Sequence, residues 1–374
     1  WYVDDDGGAD FTTIQAAVDA AAAGDIIIVK DGSYTENVAI AKSLTIRSEN
    51  GSATTTVTAA SSAAPVFSVT AADFVTIDDF TVIGLSVIND GIKFTDSNYG
   101  SIIHNDVTAC YSGIYLGTAS GTTTNNTIAE NYCYGNRRGI SARNSASGNF
   151  ITKNIFEANT DNGIRIRDMT TNHIIWLNDF ISSPVDVLTS HTANSPAPIT
   201  YTYNGSIYTS YLGNYYDTYA GADADGNGVG DTAYTSGSYT DSYPLMAQSV
   251  NYVETVLPPV PTANFIADVT SGDAPLTVNF TDLSTGEGIT DWAWDFENDS
   301  TVDSTEQNPT HVYAAAGTYT VKLTVTNTGG CDDEVKTDYI TVTVPPSQTW
   351  YVDDDGGADF TTIQAAVDAA AAGD

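Results

Sequence analysis

Residues 91–117 read GIKFTDSNYGSIIHNDVTACYSGIYLG. The stretch opens and closes on one device, a Gly-Ile pair leading an alternating run, with 22 positions from Gly91 to Gly113. The pair returns as GISAR at Gly139 and GIRIR at Gly163, after 26 and 24 residues. A second series runs in phase with it: Asn105, Asn131, Asn154 and Asn178, spaced 26, 23 and 24. Between these marks lie short β-branched runs broken by Asn, Asp, Gly and Ser, the pattern of strands and turns. Such a period is too short for a propeller blade, and the leucine pattern of leucine-rich repeats is missing. It suits one coil of a right-handed parallel β-helix, whose coils stack about 4.8 Å apart. The Ile after each Gly is then predicted to point inward onto its equivalents, and the Asn series to form a ladder on corner backbone. An antiparallel sandwich is the alternative, but its hairpins would be shorter and less regular in spacing.

A coil stack has open ends that expose core and strand edges. Residues 10–22, DFTTIQAAVDAAA, read as a short amphipathic helix that plugs the first coil. Thr12 with Gln15 matches a capping box, Ile14, Ala17, Val18 and Ala21 share a face, and Gly24 ends the helix. The string WYVDDDGGADFTTIQAAVDAAAAGD occupies both Trp1–Asp25 and Trp350–Asp374 without one change. Two copies inside one domain would drift apart, so this identity predicts a polymeric arrangement: a unit of 349 residues, then the start of another.

The composition narrows the setting. There are 47 Asp and Glu against 12 Lys and Arg, a formal charge of −35. That opposes nucleic acid and anionic membranes as partners and favours cations and an extracellular, cell-surface location. A hydrophobic share of 41% with 22 Tyr argues against disorder. No apolar run approaches the roughly 20 residues of a membrane span. The first residue is Trp rather than Met, which reads as a processed or internal fragment. Sequons at Asn50, Asn125, Asn204, Asn279 and Asn298 fit a glycosylated surface, although a chain rich in Asn and Thr produces some by chance.

The stretch DFTTIQAAVDAAAAGDIIIVKDGSYTENV (10–38) and the Asn-rich coils after it resemble the pectin-lyase-like β-helix of NosD-type proteins and archaeal surface antigens. YNGSIYTSYLGNYYDTYAGADADGNGVGDTAY (203–234) with YPLM is similar to the tail closing such helices in methanogen surface proteins. ANFIADVTSGDAPLTVNFTDLS, WAWDFENDS, NPTHVYAAAGTYTVKLTVTN and DYITVTV resemble a PKD domain, an Ig-like β-sandwich; its usual W-x-F-G-D-G turn is replaced by WDFENDS. The expected order is an all-β chain: β-helix 1–250 with tail 201–248, Pro linker 251–261, sandwich 262–344, linker 345–349 and the second cap copy 350–374.

DADGNGVGD places Asp223, Asp225 and Asn227 at positions 1, 3 and 5 of a D-x-D-x-[DN]-G loop, with the Val229 carbonyl at 7 and Asp231 at 9. This spacing wraps hard oxygen ligands around Ca²⁺ in a structural role. Tyr234 stands where an EF-hand carries its bidentate Glu, so the loop resembles the shorter dockerin- and thrombospondin-type calcium loops; a metal-free polar turn is the alternative. A second candidate is Asp295, Glu297, Asp299 and Asp303, for which a solvated acidic loop is the alternative. The DDDGGAD opening reads as solvating the entry to the cap.

Arg143, Arg165 and Arg167, joined by Arg137 and Arg138, form the one basic cluster. Arg143 and Arg167 each follow their repeat Gly by four residues and are expected on one face of neighbouring coils. On so acidic a chain the strip reads as a docking face for an acidic neighbour, or as ordinary surface arginine. Polysaccharide lyases and hydrolases need carboxylates placed with a base or in pairs. Asp161, Asp168, Glu130 and Glu157 are available, but no motif assigns them roles. His104, His173, His191 and His311 are scattered in sequence and read as solvated or structural. Cys110 and Cys133 are about one coil apart, within disulfide reach if the register agrees; two buried free thiols are the alternative. Cys331 has no partner in the unit.

These features favour a structural subunit of an extracellular filament, sheath or surface layer, assembling with itself end to end. A surface-displayed polysaccharide-binding protein or polysaccharide-cleaving enzyme is the alternative, and adhesion to other cells or cell-surface glycans through the PKD domain is compatible with the first.

Overall fold

Ile92, Ile114, Ile140 and Ile164 lie side by side on four consecutive parallel strands, each fully buried. The expectation from the Gly-Ile repeat therefore holds, and the glycines have a steric reason. A Cβ added to Gly139 would sit 2.5 Å from the Gly163 carbonyl oxygen, and one on Gly113 would sit 2.8 Å from that of Gly139. Only a residue without a side chain lets neighbouring coils approach there.

The computed structural model describes residues 1–85, 88–144, 146–167, 170–188, 191–345 and 347–370. It is nearly all β and divides into two compact units, Trp1–Thr255 and Val256–Asp374. The first unit is a parallel β-helix of three sheets with eight, eight and seven strands, in which each strand pairs with its equivalent one coil away. One face of every strand is buried. The core column Val82, Val107, Cys133, Phe156, Phe180 and Tyr216 runs through the second sheet in this way.

Corner backbone in such a stack has no strand partner, and buried polar groups must find one. The Asn ladder supplies it. Asn105 Nδ2 donates to Asn131 Oδ1 (3.0 Å), Asn131 to Asn154 (2.9 Å), Asn154 to Asn178 (2.9 Å) and Asn178 to Asn214 (2.9 Å). Asn214 in turn donates its backbone N–H to Asp241, a buried carboxylate that closes the ladder in the tail. Two further ladders occupy the other corners. Asn126 and Asn149 lead to His173, and Asn136 and Asn159 lead to Ser183.

The capping helix α1 spans Ile14–Ala20, shorter than the expected 10–22, and buries Ile14, Ala17 and Val18. Its N-cap is Thr13 rather than Thr12, accepting from Ala16. The difference arises because Phe11 bridges to Val3, its N–H donating to Tyr2 O and its carbonyl accepting from Asp4 N–H, which keeps that backbone out of a helix. Gln15 does not close a capping box; its amide reaches Asp19 and the Ala39 carbonyl. The first-turn amides of Ile14 and Gln15 instead go to the Glu36 carboxylate, at 2.8 and 2.9 Å. The tail adds a three-stranded sheet in which Val253–Glu254 pairs with Tyr201 and Thr202, so these two linker residues belong to the first unit.

In the second unit a three-stranded and a four-stranded sheet enclose Phe265, Phe280, Trp294, Phe296, Val321 and Leu323. Helix α2, Ile363–Ala369, has the same sequence as α1 and the equivalent cap, Thr362 accepting from Ala365.

Candidate metal centres

Two loops, one in each unit, carry the same hydrogen-bond pattern. In the β-helix tail, Asp223 accepts from the N–H groups of Asn227 and Gly228 at 3.1 and 2.9 Å. Asn227 Oδ1 accepts from Val229 N–H, and Asp231 Oδ2 from Ala224 N–H. In the sandwich, Asp295 accepts from Asp299 and Ser300 N–H at 3.0 and 2.8 Å. Asp299 accepts from Thr301 N–H, and Asp303 from Phe296 N–H. Each bond in the second loop lies 72 residues after its counterpart.

The backbone agrees as well. The fourth and sixth positions have positive φ in both loops: Gly226 at 71° and Gly228 at 85°, Asn298 at 55° and Ser300 at 74°. Asp231 N–H closes the first loop on Ala222 O (2.8 Å) and Asp303 N–H closes the second on Trp294 O (2.7 Å). Both therefore present oxygen side chains at positions 1, 3, 5 and 9 around a tight turn, with Thr301 standing where Val229 stands. That donor set, hard and mostly anionic, fits Ca²⁺ rather than a softer ion.

The loops differ in how far their carboxylates converge. Asp295, Glu297 and Asp303 each offer an oxygen within 4.8 Å of the others, whereas Asp223, Asp225 and Asp231 do not gather that closely. Asp295 is 6% exposed. Burial, with Asp303 close by, pushes Glu297 up to about 7, the response of a carboxylate crowded by others. His311 Nε2 lies 3.2 Å from Glu297 Oε1. A third carboxylate trio, Asp353–Asp355, is exposed in the second cap copy.

The remaining site residues fall in three places. Arg143, Arg165 and Arg167 come together on the third sheet with Arg138, and Asp161 joins them through Arg137 (2.7 Å) and Arg138 (3.5 Å). Glu130 lies at the corner after the strand Thr127–Ala129 and Glu157 on the second sheet, bound to His104 and Tyr132 respectively. Asp168 lies outside the described residues. The sequons Asn50, Asn125, Asn204, Asn279 and Asn298 are all exposed.

The proposed disulfide is corrected. Cys110 and Cys133 are both free and buried, and the register explains why: Cys133 pairs with Val107, while Cys110 N–H bonds Asn136 Oδ1. Burial pushes the Cys110 thiol up to about 12 and that of Cys133 higher still. His173 and His191, 18 residues apart, are not scattered: their rings stack at 5.1 Å, and each Nδ1 accepts a backbone N–H at the end of a ladder.

The comparisons place both units. The family model of the periplasmic copper-binding protein NosD matches residues 23–221, more than half of the sequence. The chain belongs to the NosD family. A PKD domain model matches residues 256–342 of this NosD-family chain. It is 36% identical to the PKD1 domain of Vibrio anguillarum Epp, covering 24% of this chain and 99% of that one (TM-score 0.20). It is 35% identical to a Methanosarcina mazei protein solved by NMR, covering 37% and 90% (TM-score 0.20). A pectin methylesterase bound to a hexasaccharide is 11% identical over 59% of this NosD-family chain and 90% of its own (TM-score 0.30). No curated protein matches the sequence.

Proposed function

We propose that this NosD-family chain is a repeating structural unit of an extracellular filament, sheath or surface layer, with calcium bracing one loop in each domain. The repeated cap carries the reading. Ile14 and Val18 of α1 are 0% and 2% exposed, and the string that carries them recurs without change at Trp350–Asp374. In the first copy this apolar face seats against the coil that Ile27, Val38 and Ile40 build, so the second copy of the same string is read as the cap of a further β-helix. Units repeating in that order form an array in which β-helix and sandwich alternate.

The charge of −35 supports a cation-rich, extracellular cell-surface setting, and calcium in the two loops would offset part of the local repulsion. The exposed sequons and the PKD sandwich fit contacts with surface glycans and other cells. Copper, which names the family, does not fit the described histidines and cysteines of the coils. The two stacked histidines spend Nδ1 on backbone, His173 Nε2 is buried, and the coil cysteines are buried thiols with raised pKa. The reading assigns no catalytic residue: Asp161 and Asp186, the carboxylates beside the arginines, are bound by Arg137 and Arg167.

Electron microscopy of the native material tests this. A filament or lattice repeating once per unit is expected, and dispersed monomers would overturn it.

A further inference from the structure

Glu130, Lys153 and Leu177 stand at equivalent corners of three successive coils, each immediately before a ladder asparagine. Residues 248–252 of the tail lie over this corner and over Ile155 and Asp179 of the second sheet, and a cavity of about 470 Å³ remains between them. That is the size of a small-ligand site, and all of its walls belong to the first unit. Leu177, Asp179 and Tyr252 are buried and form its floor, while Ile155 and Val250 stand at the mouth, 36% and 78% exposed.

Among the described residues three charged side chains line the cavity, and two of them are neutralised. Glu130 Oε2 lies 3.3 Å from His104 Nε2, and Lys153 Nζ lies 3.4 Å from Glu254 Oε1. Asp179 has no cation against it; its Oδ1 accepts the Ser249 N–H at 2.7 Å. It is 2% exposed, and desolvation pushes it up to about 6. The coil core does not bury it. Phe180, the next residue, faces inward on the strand Asp179–Ile181, so Asp179 projects from the outer face, where the tail covers it.

A carboxylate withdrawn from water without a counter-ion is destabilising. Asn would accept the same bond from Ser249 with no charge to desolvate, so Asp at this position calls for a cation from outside. Hard metal ions ask for several oxygens at once, and no carboxylate trio that includes Asp179 converges among the described residues. The remaining wall is aliphatic surface of Ile155, Leu177 and Val250 and the rings of Tyr132 and Tyr252. Such a wall fits an organic body, and aromatic rings also favour an ammonium head.

We propose that this cavity binds a small organic ammonium ion, its charged head on the Asp179 carboxylate and its apolar body against Leu177, Tyr132 and Tyr252. The site is independent of array formation, and its failure would leave that reading intact.

Isothermal titration calorimetry of the full chain at about pH 7.5, where Asp179 is ionised, tests this with benzylammonium, benzyl alcohol and benzoate. Saturable binding of benzylammonium at one site is expected, with the neutral alcohol and the anion at least about tenfold weaker. Asp179→Asn should weaken benzylammonium about tenfold and leave the alcohol unchanged. Val250→Trp fills the mouth from an exposed position and should weaken binding as much, a check that stands even if Asp179→Asn melts early. Glu49→Gln removes an exposed acid outside the cavity and should bind as wild type. Absence of saturable binding, equal binding of the alcohol, undiminished binding by Val250→Trp or by a folded Asp179→Asn, or an equal loss in Glu49→Gln would each overturn it. The last would show mere attraction to a chain of −35.

Discussion

Asp223 and Asp295 do the same work in two domains of unrelated fold. Each accepts the N–H groups of the residues four and five places ahead, within 3.1 Å. The local conformation is thus dictated by the spacing of the oxygen side chains and not by the sheet that carries it. If each loop binds Ca²⁺ by itself, the ion should raise the stability of both units by about 2.7 kcal/mol at a hundred times its dissociation constant. Asp295→Asn should abolish the calcium-induced shift of the sandwich alone, and Asp223→Asn that of the β-helix alone. Calorimetry in EGTA and in millimolar calcium reads this directly; melting unaffected by calcium would reduce both loops to turns.

The end of the Asn ladder predicts a pH dependence. Asp241 is fully buried, and desolvation pushes it up to about 6 against the ordinary 3.8. A carboxyl raised in the folded state contributes stability below pH 3.8 and loses it as pH climbs through 6. Asp179, also raised to about 6 by burial, acts in the same direction. Urea midpoints of the first unit should therefore carry a component falling between about pH 4 and 6, of at most about 3 kcal/mol per group. Asp241→Asn should remove its share of that slope; an identical slope in the variant would exclude the residue.

Asn131 sits in mid-ladder, donating to Ile102, Ala129 and Asn154 and accepting from Asn105. Asn131→Ala strands several buried partners together, so a loss of about 3 kcal/mol is expected in equilibrium unfolding. A cost under about 1 kcal/mol would mean that water replaces the amide.

Glu36 holds the cap from outside the helix. Glu36→Gln weakens two charge-assisted bonds and should cost about 1 kcal/mol. Hydrogen exchange at the Ile14 and Gln15 amides should accelerate with it.

The sequence made legible whatever depends on period or spacing. The Gly-Ile interval disclosed the coil, the Asn interval its ladder, and the D-x-D spacing the tight turn of the tail loop. What depends on register stayed hidden, because coil length varies by several residues and a slip of three separates Cys110 from Cys133. Long-range partners were equally silent: Glu36 caps an amide 22 residues earlier, and His173 meets His191 only after the coil closes. The kinship of the two loops was present in the spacing, but Glu297 and Thr301 disguise it where the tail has Asp225 and Val229.

The dependence of α1 on Glu36 and Ala39 also sets an order of events during translation. The cap residues leave the ribosome first, yet the groups that satisfy their amides and side chains emerge some twenty residues later. Domains fold as they emerge, N-terminal first. Each lid must therefore wait for its own vessel, and the 25-residue string stays adaptable until the coil behind it decides where it settles.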